Sequence, residues 1–90
     1  MEINAVIAHL NRLPRLFEAA HVTTFKCYRE TADRGPQEIT VEIHDAGPEM
    51  EGARYSCVAR TNDDDGKTAS GNPHDRVEVV LSSVHWWDLD

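Results

Sequence analysis

Cysteine is scarce in this 90-residue sequence, which contains only Cys27 and Cys57. Two cysteines can form one disulfide at most, and in a cytoplasmic protein they are expected to remain buried thiols. A disulfide stays possible if both residues fall on facing strands. The chain also lacks an apolar run that could span a bilayer, and it lacks an N-terminal signal peptide. We therefore predict a cytoplasmic protein without membrane contact.

Lysine is equally scarce, since seven of the nine basic residues are arginine. Sixteen acidic residues give a formal net charge of −7, and nine of them lie in residues 46–90, against four basic residues there. No local basic patch offsets this excess, so a nucleic-acid phosphate backbone would be repelled. We expect no direct binding of nucleic acid.

The remaining composition is that of an ordinary globular domain. Apolar residues make up 40% and charged residues 28% of the chain. Ninety residues suffice for one hydrophobic core and are too few for two. We therefore predict a single domain over residues 1–90.

Hydrophobic periodicity predicts a helix in the first part of the chain. Apolar residues recur at steps of three and four from Ile3 to Phe17. Pro14 interrupts this stripe, because proline removes a helical donor and clashes with the preceding turn. The helix either kinks there, or it stops near Arg12 and a short second helix begins with Pro14.

Three strands are predicted after this helix, at residues 22–29, 37–44 and 53–61. The second has the clearest alternation, with Ile39, Val41 and Ile43 on one face. We expect this face to be buried against a set of apolar helix residues, namely Val6, Leu10, Phe17 and Val80. Cys27 and Cys57 both fall on predicted inner faces.

A second helix is predicted to begin at Asn72 and Pro73, which are typical cap and first-turn residues. Its apolar stripe is Val77, Val80, Leu81, Val84 and Trp87. A strand is the alternative, because residues 77–81 are rich in β-branched side chains. We favour the helix. The predicted fold is α+β in the order α-β-β-β-α, a three-stranded antiparallel sheet with both helices packed on one face.

No catalytic, cofactor or metal site is predicted. Residues 62–66 include three aspartates and a glycine, as a calcium loop does, but Thr61 and Asn72 stand where acidic ligands are required. The five histidines show no metal-ligand spacing. No nucleophile or acid–base constellation is evident, so we predict that the protein is not an enzyme.

A contact surface for a protein partner is predicted near the C-terminus. A helix turns about 100° per residue, so it can bury only one of two adjacent tryptophans. Trp87 continues the apolar stripe, which leaves Trp86 as the exposed residue. The predicted partner-binding residues are Trp86, His85, Asp88, Asp63, Asp64 and Asp65.

The order helix, three strands, loop and helix resembles the double-stranded-RNA-binding domain. That family has a lysine cluster at the start of its second helix, where this chain has Lys67 and Arg76 together with Asp75 and Glu78. The resemblance implies the α-β-β-β-α fold. The small size, acidity and lack of motifs also look like accessory proteins of actinobacterial phages or their hosts.

The sequence therefore predicts a small, acidic, non-catalytic module for protein interaction or regulation, which reaches a basic or mixed partner. The alternative is an acidic mimic of nucleic acid, or a degenerate relative of the RNA-binding domain.

Overall fold

The structure is a computed structural model that describes residues 2–63 and 66–90. Its elements are α1 (Ile3–Arg12), β1 (His21–Thr31), β2 (Gly35–Asp45), β3 (Tyr55–Thr61), β4 (Thr68–Ser70), α2 (Val77–Ser82) and the 3₁₀ helix η1 (Trp86–Leu89). The predicted α+β class is confirmed. Within the described residues, however, the sheet has four strands and not the predicted three.

The four strands form an antiparallel meander in the order β1-β2-β3-β4, so each strand pairs with its neighbour in the sequence. β1 and β2 make a long hairpin in which His21 lies opposite Asp45 and Thr31 lies opposite Gly35. β4 pairs only three residues with β3, Thr68 being opposite Arg60. Three residues are too few to show an alternating pattern, so the sequence predicted a loop where β4 lies.

One face of the sheet carries the hydrophobic core, and α2 and η1 cover it. The buried apolar side chains are Ile39, Val41, Cys57, Ala59, Ala69, Val80, Val84 and Leu89. The predicted burial of Ile39 and Val41 and their packing with Val80 are confirmed. Ile43 is only half-buried.

The first helix lies at the end of the sheet, which contradicts the prediction that both helices pack on one face. Its only buried residue is Ile7, whose side chain approaches Gly47 in the connection that follows β2. Val6 and Phe17, which we expected in the core, are 36% and 79% exposed.

The chain leaves α1 at Arg12, so of our two alternatives the helix stops and does not kink. Glu2 caps its start by accepting hydrogen bonds from the amides of Asn4 and Ala5, at 3.0 and 2.7 Å. At its end Leu13 is extended (φ −75°, ψ 145°), as expected of a residue that precedes proline. No second helix begins at Pro14.

The second helix begins at Val77, four residues after Pro73, the predicted first helical residue. His74 and Tyr55 exchange two backbone hydrogen bonds of 2.9 and 3.0 Å, which draw this segment into an extended conformation beside β3. Asp75, which would lie in the first turn of a helix that starts at Pro73, instead accepts from the amides of Gly52 and Arg54 at 2.8 and 3.3 Å. These contacts with the β2–β3 connection outweigh the local capping signal.

The two thiols are free and differ in burial: Cys57 lies in the core, whereas Cys27 is exposed. Burial raises the pKa of the Cys57 thiol, so this group stays protonated at neutral pH. The prediction that both cysteines face the core is wrong for Cys27. Its strand position is on the core face, opposite Ile39, but neither α2 nor η1 extends over β1.

No helix in the described ranges is long and apolar enough to cross a membrane.

Candidate interaction surface at the C-terminus

The last residues form a 3₁₀ helix whose side chains divide between the core and the surface. In a 3₁₀ helix, residues three positions apart lie on the same side. Trp86 and Leu89 are such a pair: Leu89 is fully buried and Trp86 packs against the core. Trp87 and Asp88 therefore point away from the core.

The predicted exposure of the two tryptophans is consequently inverted. Trp87 is 64% exposed, whereas Trp86 is only partly exposed. The prediction failed because α2 ends at Ser82 and the 3₁₀ helix starts in a new phase. The stripe of α2 does not continue to Trp87. Leu89, which we had not assigned to the core, marks the new phase.

Trp87 is ordered by its neighbours on the surface. The His85 ring stacks on it with a centroid separation of 4.8 Å and an angle of 15° between the rings. The Asp88 carboxylate lies 4.0 Å from Nδ1 of His85. We call these three residues, His85, Trp87 and Asp88, the C-terminal patch. It offers an aromatic face beside a carboxylate, which suits a cationic side chain next to an apolar one.

Two cationic side chains hold the end of the chain in place. The guanidinium of Arg29 on β1 pairs with the Asp90 carboxylate at 2.5 Å. The Lys67 ammonium donates a hydrogen bond to the main-chain oxygen of Asp90. The backbone that carries the C-terminal patch is thereby tied to both sides of the sheet, so the patch is pre-organised.

Asp63, which we predicted to bind a partner, has a structural role in the connection that follows β3. Its carboxylate accepts from the Thr61 hydroxyl at 2.9 Å, the Gly66 amide at 3.3 Å and the Gln37 side-chain amide at 3.3 Å. Asp64 and Asp65 lie outside the described residues.

The β2–β3 connection is fixed by an ion pair at the opposite end of the sheet. Arg54 donates two hydrogen bonds to Asp45, at 2.8 and 3.1 Å, and stacks 4.9 Å from the Tyr55 ring. The bond from Arg54 holds the pKa of Asp45 below its usual value. Two backbone amides, of Gly52 and Arg54, lower the pKa of Asp75 in the same way. These carboxylates are structural, because their acceptor oxygens are already used.

Residues with metal-ligating side chains do not converge in the described part of the chain, where no group of three His, Cys, Asp or Glu could hold an ion. The surface depressions are small and open. One of them is lined by Thr31, Arg34, Pro36, Gln37, Glu38, Asn62 and Asp63 and measures about 210 Å³.

Sequence reasoning missed a second exposed region, on the first half of the chain. Most of the large apolar residues that remain exposed lie there, namely Val6, Leu13, Leu16, Phe17, Val22, Phe25 and Tyr28. The signal was present in β1, whose apolar and aromatic residues occur on both faces of the strand. We interpreted them as half-buried because we assumed that a helix covered this strand.

The chain matches no protein-family profile, and no similar protein was found among curated sequences or among solved structures.

Proposed function

We propose that this domain is a small, non-catalytic protein-interaction module whose contact surface is the C-terminal patch. The observation that carries the proposal is the position of Trp87. Its indole is 64% exposed although Trp86 and Leu89, on either side of it, are anchored in the core. A pre-organised, exposed tryptophan is typical of a binding hot spot, because it loses little conformational entropy when it becomes buried.

The charge of the domain indicates the chemistry of the partner. The formal net charge is −7, and Asp88 lies beside the exposed indole. A partner that presents arginine or lysine next to an apolar residue could stack on Trp87 and pair with Asp88. Electrostatic attraction of this kind mainly raises the association rate, so binding should weaken as salt increases.

Direct binding of double-stranded RNA, the function of the family that the topology resembles, is not part of this proposal. The Arg76 guanidinium at the start of α2 pairs with Glu78 at 3.3 Å, and the surrounding charge is negative. Mimicry of nucleic acid remains the alternative proposal. It is supported by the acidic excess of residues 46–90, and it predicts that the partner is a DNA-binding or RNA-binding protein.

The experiment compares proteins retained by immobilised wild-type domain with those retained by the Trp87→Ala variant. We expect Trp87→Ala to keep its fold and to lose a specific partner, with an affinity loss of at least tenfold, as for a hot-spot tryptophan. Val79→Ala is the matched control, because Val79 is exposed on α2, outside the patch. Equal retention by all three forms would contradict the proposal.

A shift assay with short duplex RNA and duplex DNA, at low and high salt, separates the alternatives. We expect no shift at physiological salt. Tight, salt-sensitive binding to either duplex would contradict both the interaction-module proposal and the mimicry proposal.

A further inference from the structure

The outer edge of β1 is an open β-sheet edge along its whole length. β1 has 11 residues and contains no proline, and among the described residues it pairs with β2 alone. Monomeric proteins usually protect such an edge with proline, bulges or several charges, because it is a template for another strand. On β1, Lys26 is the one charged side chain in the middle of the strand.

The hydrogen-bond alternation of the sheet identifies which β1 residues are available. In antiparallel strands, hydrogen-bonded and non-hydrogen-bonded pairs alternate. Asn62 donates to Glu38 and Ala46 donates to Arg54, so even-numbered residues of β2 face β3 and odd-numbered ones face β1. Through the register, the odd-numbered residues of β1 bond to β2. The even-numbered ones, Val22, Thr24, Lys26, Tyr28 and Glu30, direct their N–H and C=O groups outward.

The chain exposes more surface than a compact monomer of its mass, by about the area that one partner buries in a dimer interface. A compact monomer of this mass exposes about 5,300 Å², whereas this chain exposes 6284 Å². The excess is close to the roughly 800 Å² that each partner buries in a standard interface. The radius of gyration, 15.2 Å, also exceeds the roughly 12 Å of a compact domain of this length. Both differences mark a chain that is more extended than a compact monomer of its length.

We propose that two copies of this chain pair through β1, antiparallel and about a two-fold axis, to form one continuous eight-stranded sheet. A second copy is favoured because an isologous contact closes the open edge of both chains at once. The other edge is already covered, since η1 lies beside β4 and the amide of His85 donates to the Ser70 carbonyl. β1 is also a place where two acidic chains can approach, because Lys26 balances Glu30 and Arg29 is paired with Asp90.

Side-chain pairing places the two-fold axis at Cys27. With this register, Lys26 lies opposite Tyr28 of the second copy, and Phe25 lies opposite Arg29 of the second copy. Both pairs join a cation to an aromatic ring, and no like charges meet. An axis at Lys26 would oppose two lysines, an axis at Tyr28 would pair fewer residues, and an axis at Phe25 would bring Arg29 against His21.

The test measures the solution mass of the wild-type chain and of Thr24→Pro by sedimentation equilibrium. The Thr24 amide points outward, so proline should block strand addition and spare the β1–β2 ladder. We expect a dimer for the wild type, a dimer for the control Thr24→Val, and a folded monomer for Thr24→Pro. A monomeric wild type would overturn the proposal and would leave the β1 edge open to a different protein. A Thr24→Pro dimer overturns it as well.

A second variant avoids proline altogether. Tyr28→Lys places a lysine opposite Lys26 of the second copy and should raise the dimer dissociation constant at least tenfold. Circular dichroism confirms that each variant is folded.

A disulfide between the two Cys27 residues tests the position of the two-fold axis. Opposed residues of a non-hydrogen-bonded pair have Cα atoms about 4.5 Å apart, which is within the range of a disulfide. A mild oxidant should therefore join the two Cys27 thiols. The cross-link should survive Cys57→Ser and disappear with Cys27→Ser. A dimer that does not cross-link through Cys27 overturns this pairing.

Discussion

Gly71, between β4 and the segment that leads to α2, is expected to tolerate no side chain. A Cβ placed on it would lie 2.5 Å from the Val80 carbonyl oxygen, 2.8 Å from the Ser83 hydroxyl and 3.1 Å from a Val84 methyl group. The nearest of these atoms belongs to the main chain of α2, which cannot rotate away. Gly71→Ala must therefore push α2 outward from the core it covers.

Two opposing terms decide the size of the effect. Replacing glycine by alanine at a position with an ordinary backbone conformation stabilises a protein by about 0.4–1 kcal/mol, because the unfolded chain loses freedom. Overpacking of a well-packed site costs about 1–3 kcal/mol. The clash should win because Val80 is itself buried and its carbonyl accepts the Ser83 hydroxyl at 2.8 Å. We expect a net loss of about 1–2 kcal/mol.

Thermal unfolding followed by circular dichroism measures this loss. In a domain of this size, each kcal/mol lowers the Tm by about 4–8 °C. Gly52→Ala is the comparison variant. Nothing lies within 4 Å of its added Cβ, so any loss of stability there comes from the strained backbone at a φ of +83° and not from a clash. Adding Ser83→Ala to Gly71→Ala should restore little stability, because the Val80 oxygen remains. A Gly71→Ala Tm equal to or above that of the wild type would refute the reasoning.

Two further predictions concern the core and the ion pair at the far end of the sheet. Val41→Asp should unfold the domain, because an unpaired buried charge costs several kcal/mol, comparable to the whole stability; an unchanged Tm would place Val41 on the wrong face. The lowered pKa of Asp45 means that its pairing with Arg54 stabilises the fold above the unfolded pKa of about 3.9, and that this contribution is lost as pH falls through the lower folded pKa. Asp45→Asn should lower the free energy of unfolding by about 1 kcal/mol at pH 7 and make stability fall less steeply at acid pH than in the wild type. A variant whose stability falls as steeply as that of the wild type would show that other groups cause the acid sensitivity.

Most of the sheet was predictable because β1 is rich in β-branched and aromatic residues and β2 shows a clear alternation. The pattern of Ile39 and Val41 identified both a strand and the face that is buried. β4 could not be predicted, since its three residues hold their place through pairing with β3 rather than through any pattern of their own. The start of α2 was misplaced for a related reason: the contacts of His74 and Asp75 with the β2–β3 connection are tertiary.

The C-terminal patch was predicted at the correct segment but with the wrong tryptophan. Periodicity assumes that one helix continues, whereas the chain changes from α2 to η1 after Ser82. A break of this kind resets the phase, so only Leu89, three residues after Trp86, could have indicated which indole is buried. The exposure of β1 was missed because strand patterns state which residues share a face and not whether another element covers it.

The meander order of the sheet has a consequence for how the chain folds. Every strand pairs with the next one in the sequence, so the sheet can grow hairpin by hairpin with short loop closures, which favours rapid folding. A long-range exception is the ion pair between Arg29 and Asp90, which joins the first strand to the far end of the chain. Closing that long loop is possible only after the sheet exists, so the segment bearing Trp87 should be the last part of the domain to become ordered during folding.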